Sequence, residues 1–292
     1  MKSPSVGVIG LGIMGSAIAA NLARAGFPVH GYDVVAARAR ELRRAGGTAE
    51  RSAAEVAARA PVIITSLPNS EALLQISTVL KRRGAVVVET STLPIEEKLK
   101  AFNILKKQGI ALLDCPLSGT GAQAKIRDLV VLGSGERKAF EKVVPVLEGF
   151  ARSHHYLGAF GNGSRMKFVA NLLVAIHNVS AAEAFVLGMK AGLDPKTLYK
   201  VLGDGAGSSR MFQVRGPQMV AGRYRDATMK VAVWQKDMKI IADFAARLGA
   251  PTPLFSASAP LYNAAMAQGH AKDDTASVCA VLESLARVKR RR

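Results

Sequence analysis

Cysteine is almost missing from this chain. Cys115 and Cys279 are the only two among 292 residues, which excludes a disulfide-stapled scaffold. Histidine is scarce as well. The five, at positions 30, 154, 155, 177 and 270, show no metal-ligand spacing, and no metal site is expected. No uninterrupted apolar run reaches the roughly 20 residues of a membrane span, so no membrane partner is expected. The N-terminus has Lys2 ahead of a short apolar strand and no cleavage pattern, which reads as a mature cytoplasmic chain. Acidic residues are in deficit, 22 against 40 basic ones, for a net charge of +18. Aromatics make up 5% of the chain and do not interleave with the basic clusters at Arg38, Arg40, Arg43 and Arg44, at Lys81, Arg82 and Arg83, or at 289–292. A single-strand nucleic-acid platform needs such interleaving. A solvated basic surface that favours anionic ligands is therefore preferred, with nucleic acid as the alternative.

What remains is a globular composition, 49% hydrophobic and 21% charged, with length for one large or two modest domains. A strand at 5–9 runs into Gly10-Leu11-Gly12-Ile13-Met14-Gly15. Helical periodicity follows over 14–24 and stops at Gly26, and a second strand at 28–32 ends on Asp33. Each part suits a dinucleotide. Gly10 makes the tight turn, Gly12 admits the pyrophosphate, and Gly15 allows helix and strand to pack closely. The helix N-terminus offers N–H groups and a positive dipole end to phosphate. Asp33, 18 residues beyond Gly15, is placed to accept from ribose hydroxyls. Its carboxylate would repel a ribose 2′-phosphate, and Val34 and Val35 supply no basic partner, though Arg38 and Arg40 follow one turn later. NAD is expected, with NADP as the alternative.

The alternation continues. Helices are expected at 51–59, 70–80, 94–107 and 136–148, and strands at 62–66, 85–89, 110–114, 129–133 and 152–157. An open α/β sheet binds ligands beyond its strand C-termini, which places Leu67, Pro68 and Thr92 beside the cofactor. The stretch 114–121 sets Ser118, Gly119, Thr120 and Gly121 in a loop whose hydroxyls and backbone N–H groups suit an anion. After the loose glycines Gly158, Gly161 and Gly163, one long helix is expected over 164–191. Beyond it the alternation vanishes, and 195–202, 213–220, 231–248, 253–268 and 275–288 all read as helices. The fold class is thus α/β: a Rossmann-type dinucleotide-binding domain over 1–162, then an all-helical domain over 163–292 reached through the bridging helix.

That helix is apolar on almost every face between Met166 and Ile176, interrupted only by Lys167 and Asn171. Four apart, these two share a face. Such a helix is expected to be buried, and burial lowers a lysine pKa toward the range useful for proton transfer. A snorkelling Lys167 with Asn171 bonded to a neighbouring loop is the alternative. The helices at 231–248 and 253–266 carry more apolar residues than one packing face can use, so a homodimer or homotetramer is expected.

Four segments in order resemble the β-hydroxyacid dehydrogenase family, which includes 3-hydroxyisobutyrate dehydrogenase, tartronate semialdehyde reductase and the more distant 6-phosphogluconate dehydrogenase. They are Gly10-Leu-Gly-Ile-Met-Gly15 with Asn21-Leu22, Asp114-Cys-Pro-Leu-Ser-Gly119, Gly158-Ala-Phe-Gly-Asn-Gly163 leading to Lys167 and Asn171, and Lys236-Asp237. The resemblance implies an NAD(P)-dependent oxidoreductase acting on a small anionic β-hydroxy acid. It implies Lys167 as general acid/base, Asn171 holding substrate, and Ser118 and Gly119 on the substrate carboxylate. Leu67, Pro68, Thr92 and Lys236 would contact the cofactor, and the second domain would serve substrate closure and dimerisation. Thr120, Arg127 and Ala170 stand where the family has Gly, Gly and Asn, and Thr120 adds a hydroxyl for a more oxygenated acid. The alternative from another class is a catalytically idle dinucleotide sensor that binds nucleic acid through its basic surface.

Overall fold

A computed structural model describes residues 3–290; Met1, Lys2 and the tail residues Arg291 and Arg292 lie outside the described residues. The chain divides into two compact units, with the break between Lys167 and Phe168. The break thus falls a little way into the long helix and not at its start.

The first unit alternates as β1 (Val6–Ile9), α1 (Ile13–Arg24), β2 (Val29–Tyr32), α2 (Ala36–Arg44), β3 (Thr48–Ala49), α3 (Ala53–Arg59), β4 (Val62–Thr65), α4 (Ser70–Val79), β5 (Val86–Glu89), α5 (Ile95–Lys107) and β6 (Ala111–Asp114). Then come β7 (Leu117–Ser118), α6 (Gly121–Lys125), β8 (Val130–Gly133), α7 (Arg137–Phe150) and β9 (Ser153–Tyr156). β1 to β6 form one parallel sheet in the order β3-β2-β1-β4-β5-β6. Its central strands β1, β4 and β5 are mostly apolar and buried at every position because helices cover both faces. Period-two alternation sorts the side chains. Val8, Ile64 and Val88 join Ile18 and Leu22 of α1 and Val143 and Leu147 of α7. Ile63, Val87 and Leu112 point the other way, to Val56 of α3, Leu73 of α4 and Leu105 of α5. Strand order reverses between β1 and β4, the switch point where such sheets bind nucleotides. A second sheet, β7-β8-β9, joins an antiparallel β7–β8 pair to a parallel β8–β9 pair. β7 was not expected as a strand, since two residues are too few for periodicity to show.

The long helix α8 (Asn162–Lys190) starts in the first unit and runs on into the second. The second unit adds α9 (Pro195–Asp204), α10 (Arg210–Ala221), α11 (Val231–Arg247), α12 (Pro253–Ala267), a 3-10 turn at Thr275–Ser277 and α13 (Val278–Leu285). Phe168 packs edge-on against Phe244, and Phe185 stacks on Phe212. Buried Asn178 donates to Tyr262 Oη at 3.1 Å and to the Thr275 carbonyl at 2.8 Å.

Two expectations about α8 need correction. It is not buried all round: Met166, Val169, Leu173 and Leu187 are exposed by 45%, 54%, 47% and 73%. Only the stripe holding Phe168, Ala175, Ala182 and Phe185 is covered, because a helix with apolar residues on every side does not say which side has a neighbour. Nor is a stretch of membrane-spanning length absent. α8 is long and apolar enough by length and composition, with a mean hydropathy of 1.6 over its most apolar window. Buried amides answered by α11, α12 and the 3-10 turn mark it as the core helix of its unit.

Candidate active site

The three fingerprint glycines occupy three different environments. Gly10 has φ +88°, and a Cβ there would overlap the Ser66 carbonyl. A Cβ on Gly15 would overlap the Gly10 carbonyl, so α1 can approach β1 only over a glycine. A Cβ on Gly12 would meet nothing within 4 Å, which leaves room for a ligand close to the backbone. α1 has no side-chain cap and no acidic residue in its first turn, a helix start suited to phosphate. Asp33, at the end of β2, accepts from Leu11 N at 2.6 Å and Val35 N at 2.7 Å. Its carboxylate therefore braces the glycine turn, and with about four acceptor positions it retains capacity for a ribose. These residues fit a dinucleotide.

The turns after β4 and β5 leave the same edge of the sheet. Leu67 N donates to Ser91 Oγ at 2.8 Å, which ties the two turns that carry Leu67, Pro68 and Thr92. The Ser118 loop is fastened to the glycine turn from the other direction. Buried Asn21 of α1 donates to the Ala124 carbonyl of α6 at 2.7 Å. Gly121 lies so close to Ile13 that a Cβ there would overlap the isoleucine side chain. Ser118 pairs with Val130 in the second sheet, and Gly119 has φ +134°. Thr120 starts α6, and its N–H and hydroxyl both donate to Gln123 Oε1, at 3.0 and 3.3 Å. The Thr120 hydroxyl also accepts from Gln123 N in a capping box and retains one lone pair for a further donor. Arg127 has φ +61°, a left-handed backbone that favours glycine.

The first turn of α8 is held by a buried polar cluster. Asp114 Oδ2 accepts from Ser164 N and Asp114 Oδ1 from Ser164 Oγ, both at 2.8 Å. Ser134 Oγ accepts from Gly163 N at 2.9 Å. Gly163 itself is pressed against the carbonyls of Leu132 and Asp114. Lys98 of α5 is wholly buried; its Nζ donates to Asp114 Oδ1 at 2.8 Å and to the Ser91 carbonyl at 2.7 Å. Glu89 Oε2 lies 2.6 Å from the same ammonium as an ion pair. Burial alone would push the Lys98 pKa down, but the charges of Asp114 and Glu89 outweigh it and hold the group above its ordinary value. Burial also pushes the Cys115 thiol up, with Asp114 adding to the effect, so this cysteine is inert.

Lys167 follows Ser164 by one turn and is half-buried, not buried as the apolar sequence around it suggested. In the second unit, buried Asn171 donates to Asp237 Oδ2 at 3.0 Å, and Lys236 Nζ stands 3.7 Å from Asp237 Oδ1. Among the described residues no group of three or more His, Cys, Asp or Glu is placed to hold a metal ion.

Residues 5–158 match the family model for the NAD binding domain of 6-phosphogluconate dehydrogenase. Residues 161–282 match that for the NAD-binding of NADP-dependent 3-hydroxyisobutyrate dehydrogenase. The chain belongs to the β-hydroxyacid dehydrogenase family. It is similar to an L-threonate dehydrogenase of Cupriavidus necator, 32% identical over 97% of each chain. The mouse mitochondrial 3-hydroxyisobutyrate dehydrogenase is 30% identical, over 95% of this chain and 86% of that one. Among solved structures, the 3-hydroxyisobutyrate dehydrogenase of Mycobacterium tuberculosis superposes with a TM-score of 0.86 at 29% identity, covering 96% of this chain and 99% of that one. Like these β-hydroxyacid dehydrogenases, the protein is an NAD(P)-dependent oxidoreductase. These relatives are all dehydrogenases by name, which leaves the nucleic-acid alternative without support.

Sequence reasoning missed Lys98 and the tie made by Asn21. The hint was Lys98 itself, at a position in α5 between buried Ile95 and Ala101, where a solvated lysine does not belong.

Proposed function

We propose that the protein catalyses reversible hydride transfer between a small β-hydroxy acid and a nicotinamide dinucleotide, with Lys167 as general acid/base. The nicotinamide, when bound, takes or gives the hydride at the substrate carbon. Lys167 takes the hydroxyl proton as the carbon is oxidised and returns it in reduction. Its half-buried position lets that proton pass on to solvent. Asn171 offers the substrate oxygen its second amide N–H, the first being held by Asp237. Ser118 and Gly119 hold the carboxylate, and Thr120 accepts from a further hydroxyl of a more oxygenated acid. Gly10 to Gly15, Asp33, Leu67, Pro68 and Thr92 hold the cofactor, joined by Lys236 from the second unit, which serves substrate closure and subunit association. A cytoplasmic location is part of the same reading. Most support comes from the double tie, Asn21 to Ala124 and Gly121 to Ile13, which fixes the anion loop beside the dinucleotide turn. The test is a panel including L-threonate and 3-hydroxyisobutyrate with NAD and NADP, followed by absorbance of the reduced cofactor. Turnover of at least one acid is expected. A panel without turnover, from protein that binds NAD, would sink the proposal.

Cofactor choice turns on Asp33. Asp33→Ser is expected to weaken NAD and to narrow its margin over NADP by about tenfold, or ~1.4 kcal/mol. The serine removes the ribose acceptor and the charge that repels a 2′-phosphate, and it loosens the brace on Leu11 and Val35. A wild type that already favours NADP by about tenfold would mean that Arg38 or Arg40 outweighs Asp33.

The exposed apolar residues along α8 and in the second unit point to association. Met166, Val169 and Leu173 follow one another along α8, and Val233, Leu248, Leu254 and Met266 are also exposed. Monomers rarely leave such stripes uncovered. Sedimentation equilibrium at micromolar protein is expected to give twice or four times the 30.8 kDa chain mass. A single species at the chain mass would rule this out.

A further inference from the structure

Lys98 has no part in the mechanism above, yet it is the cation at the centre of the first unit. Its side chain is fully buried, and so are those of its two carboxylate partners, Glu89 and Asp114. Two carboxylates at one site cannot both stay ionised without a cation between them, and an unpaired buried charge is costly. Lys98 is therefore the counter-charge that Asp114 needs in this buried cluster. Asp114 in turn receives both the N–H and the hydroxyl of Ser164. Ser164 sits in the first turn of α8, three residues before Lys167, so the two share a face one turn apart. An anionic acceptor at a helix N-terminus is also favoured by the helix dipole. On its other side Lys98 Nζ holds the Ser91 carbonyl, and Ser91 Oγ accepts from Leu67 N. One ammonium thus fastens the turns assigned to the cofactor and the helix that carries Lys167.

We propose that Lys98 is a positioning residue for the reaction: through Asp114 and Ser164 it fixes the first turn of α8, and with it the placement of the Lys167 amine. The proposal rests on the reading of Lys167 as acid/base and goes one step behind it. Gly163 is part of the same device. Its contact with the carbonyls of Leu132 and Asp114 seats the helix start flush on the end of β6, so the hydrogen bonds from Ser164 have no slack.

The test is a double-mutant cycle on the full-length enzyme, with L-threonate or 3-hydroxyisobutyrate as substrate and NAD as cofactor. Rates are expressed per site that binds NADH. Lys98→Met removes the ammonium at similar length, and Glu89→Gln/Lys98→Met removes one carboxylate with it, so that only one buried charge remains. Ser164→Ala leaves the ionic cluster whole and cuts only the hydroxyl bond to the helix. In the wild-type background each is expected to lower kcat, Lys98→Met and the double variant by about tenfold or more and Ser164→Ala by less, while the NAD affinity of Ser164→Ala, which leaves the Ser91 tie intact, stays within about threefold. In a Lys167→Ala background the same substitutions are expected to change kcat by less than about twofold, because the group they position is gone. A merely structural role predicts the same loss in both backgrounds, and that result overturns the proposal. So does a kcat per site that stays near wild type in the Lys98 variants. Should Lys98→Met and the double variant fail to fold, the Ser164→Ala cycle decides alone by the same criteria. If Lys167→Ala itself keeps its turnover, it is the acid/base assignment that fails, a different outcome from equal losses in both backgrounds.

Discussion

Lys167→Ala is expected to lower kcat by about 10²- to 10⁴-fold, the usual contribution of a positioned general acid/base. That range is roughly 3–5 kcal/mol of transition-state stabilisation. The loss should fall on kcat and on kcat/KM together, since the proton is in flight only in the transition state. NAD affinity should hardly move, because the glycine turn, Asp33 and the turns after β4 and β5 are built without Lys167. Folding should survive too: the residue is half-buried, and the bonds that start α8 belong to Gly163 and Ser164. Lys167→Arg sharpens the result. It keeps the positive charge but cannot release a proton near neutrality, so it should be nearly as slow as the alanine variant. If arginine restored most of the rate, Lys167 would be acting as a fixed charge and not as a proton carrier. If alanine kept more than about a third of the turnover, the residue would have no chemical role.

Asp274→Asn is expected to lower the stability of the second unit by about 3–5 kcal/mol, the typical cost of stripping one partner from a buried ion pair. Asp274 is wholly buried and binds Arg215 Nε at 3.0 Å. The same carboxylate accepts from Thr228 N at 2.7 Å, Thr228 Oγ1 at 2.9 Å, Met229 N at 3.1 Å and Ala276 N at 3.0 Å. An asparagine amide would turn a donor toward donors and leave the buried Arg215 charge unanswered. Despite burial, which works the other way, Arg215 and these backbone donors hold the Asp274 pKa below the ordinary carboxylate value. A depressed pKa fixes the sign. The stabilisation is complete above the unfolded-state value of about 3.9 and is lost as pH falls through the lower folded-state value. Urea unfolding, followed at neutral pH and again below pH ~4, checks both statements. The variant should unfold at a lower midpoint at neutral pH, and the gap to the wild type should shrink in acid. A wild-type midpoint in the variant would mean that the Arg215 pair contributes nothing net.

Much of the fold was legible because it repeats simple periods. Strands such as Val62–Thr65 and Val86–Glu89 are apolar over their first three positions and lead into turn residues, and helices such as Ile95–Lys107 start after proline. The glycine turn was legible for a different reason: each glycine has one steric task, and the structure gives each a matching environment. Other features turn on pairings far apart in sequence. Lys98 has Glu96, Glu97 and Lys100 beside it, and although its spacing from Ile95 and Ala101 hints at burial, its partners Glu89 and Asp114 come to it only through β5 and β6. Lys167 misled in the opposite sense, because apolar neighbours on all sides of a helix do not say which side is covered. α2 and β3 went unmarked: a nine-residue helix with four arginines has little apolar signal, and a two-residue strand has none. For the site, the residue types and their order were readable, whereas the hydrogen bonds that hold them, from Asn21, Ser134 and Ser164, were not.

The bond from Asn21 to the Ala124 carbonyl has a consequence for engineering. The loop that would choose the acid is seated only in part on its own strand pairing, since α6 also takes its bearing from the dinucleotide helix through the buried Asn21 amide and the close approach of Gly121 to Ile13. A segment spanning 117–129 transplanted from a relative with another substrate would therefore arrive without part of its seat unless the residues at 13 and 21 travelled with it. In this scaffold, substrate preference is heritable as a pair of distant segments, and libraries that vary the loop alone sample mostly misplaced loops.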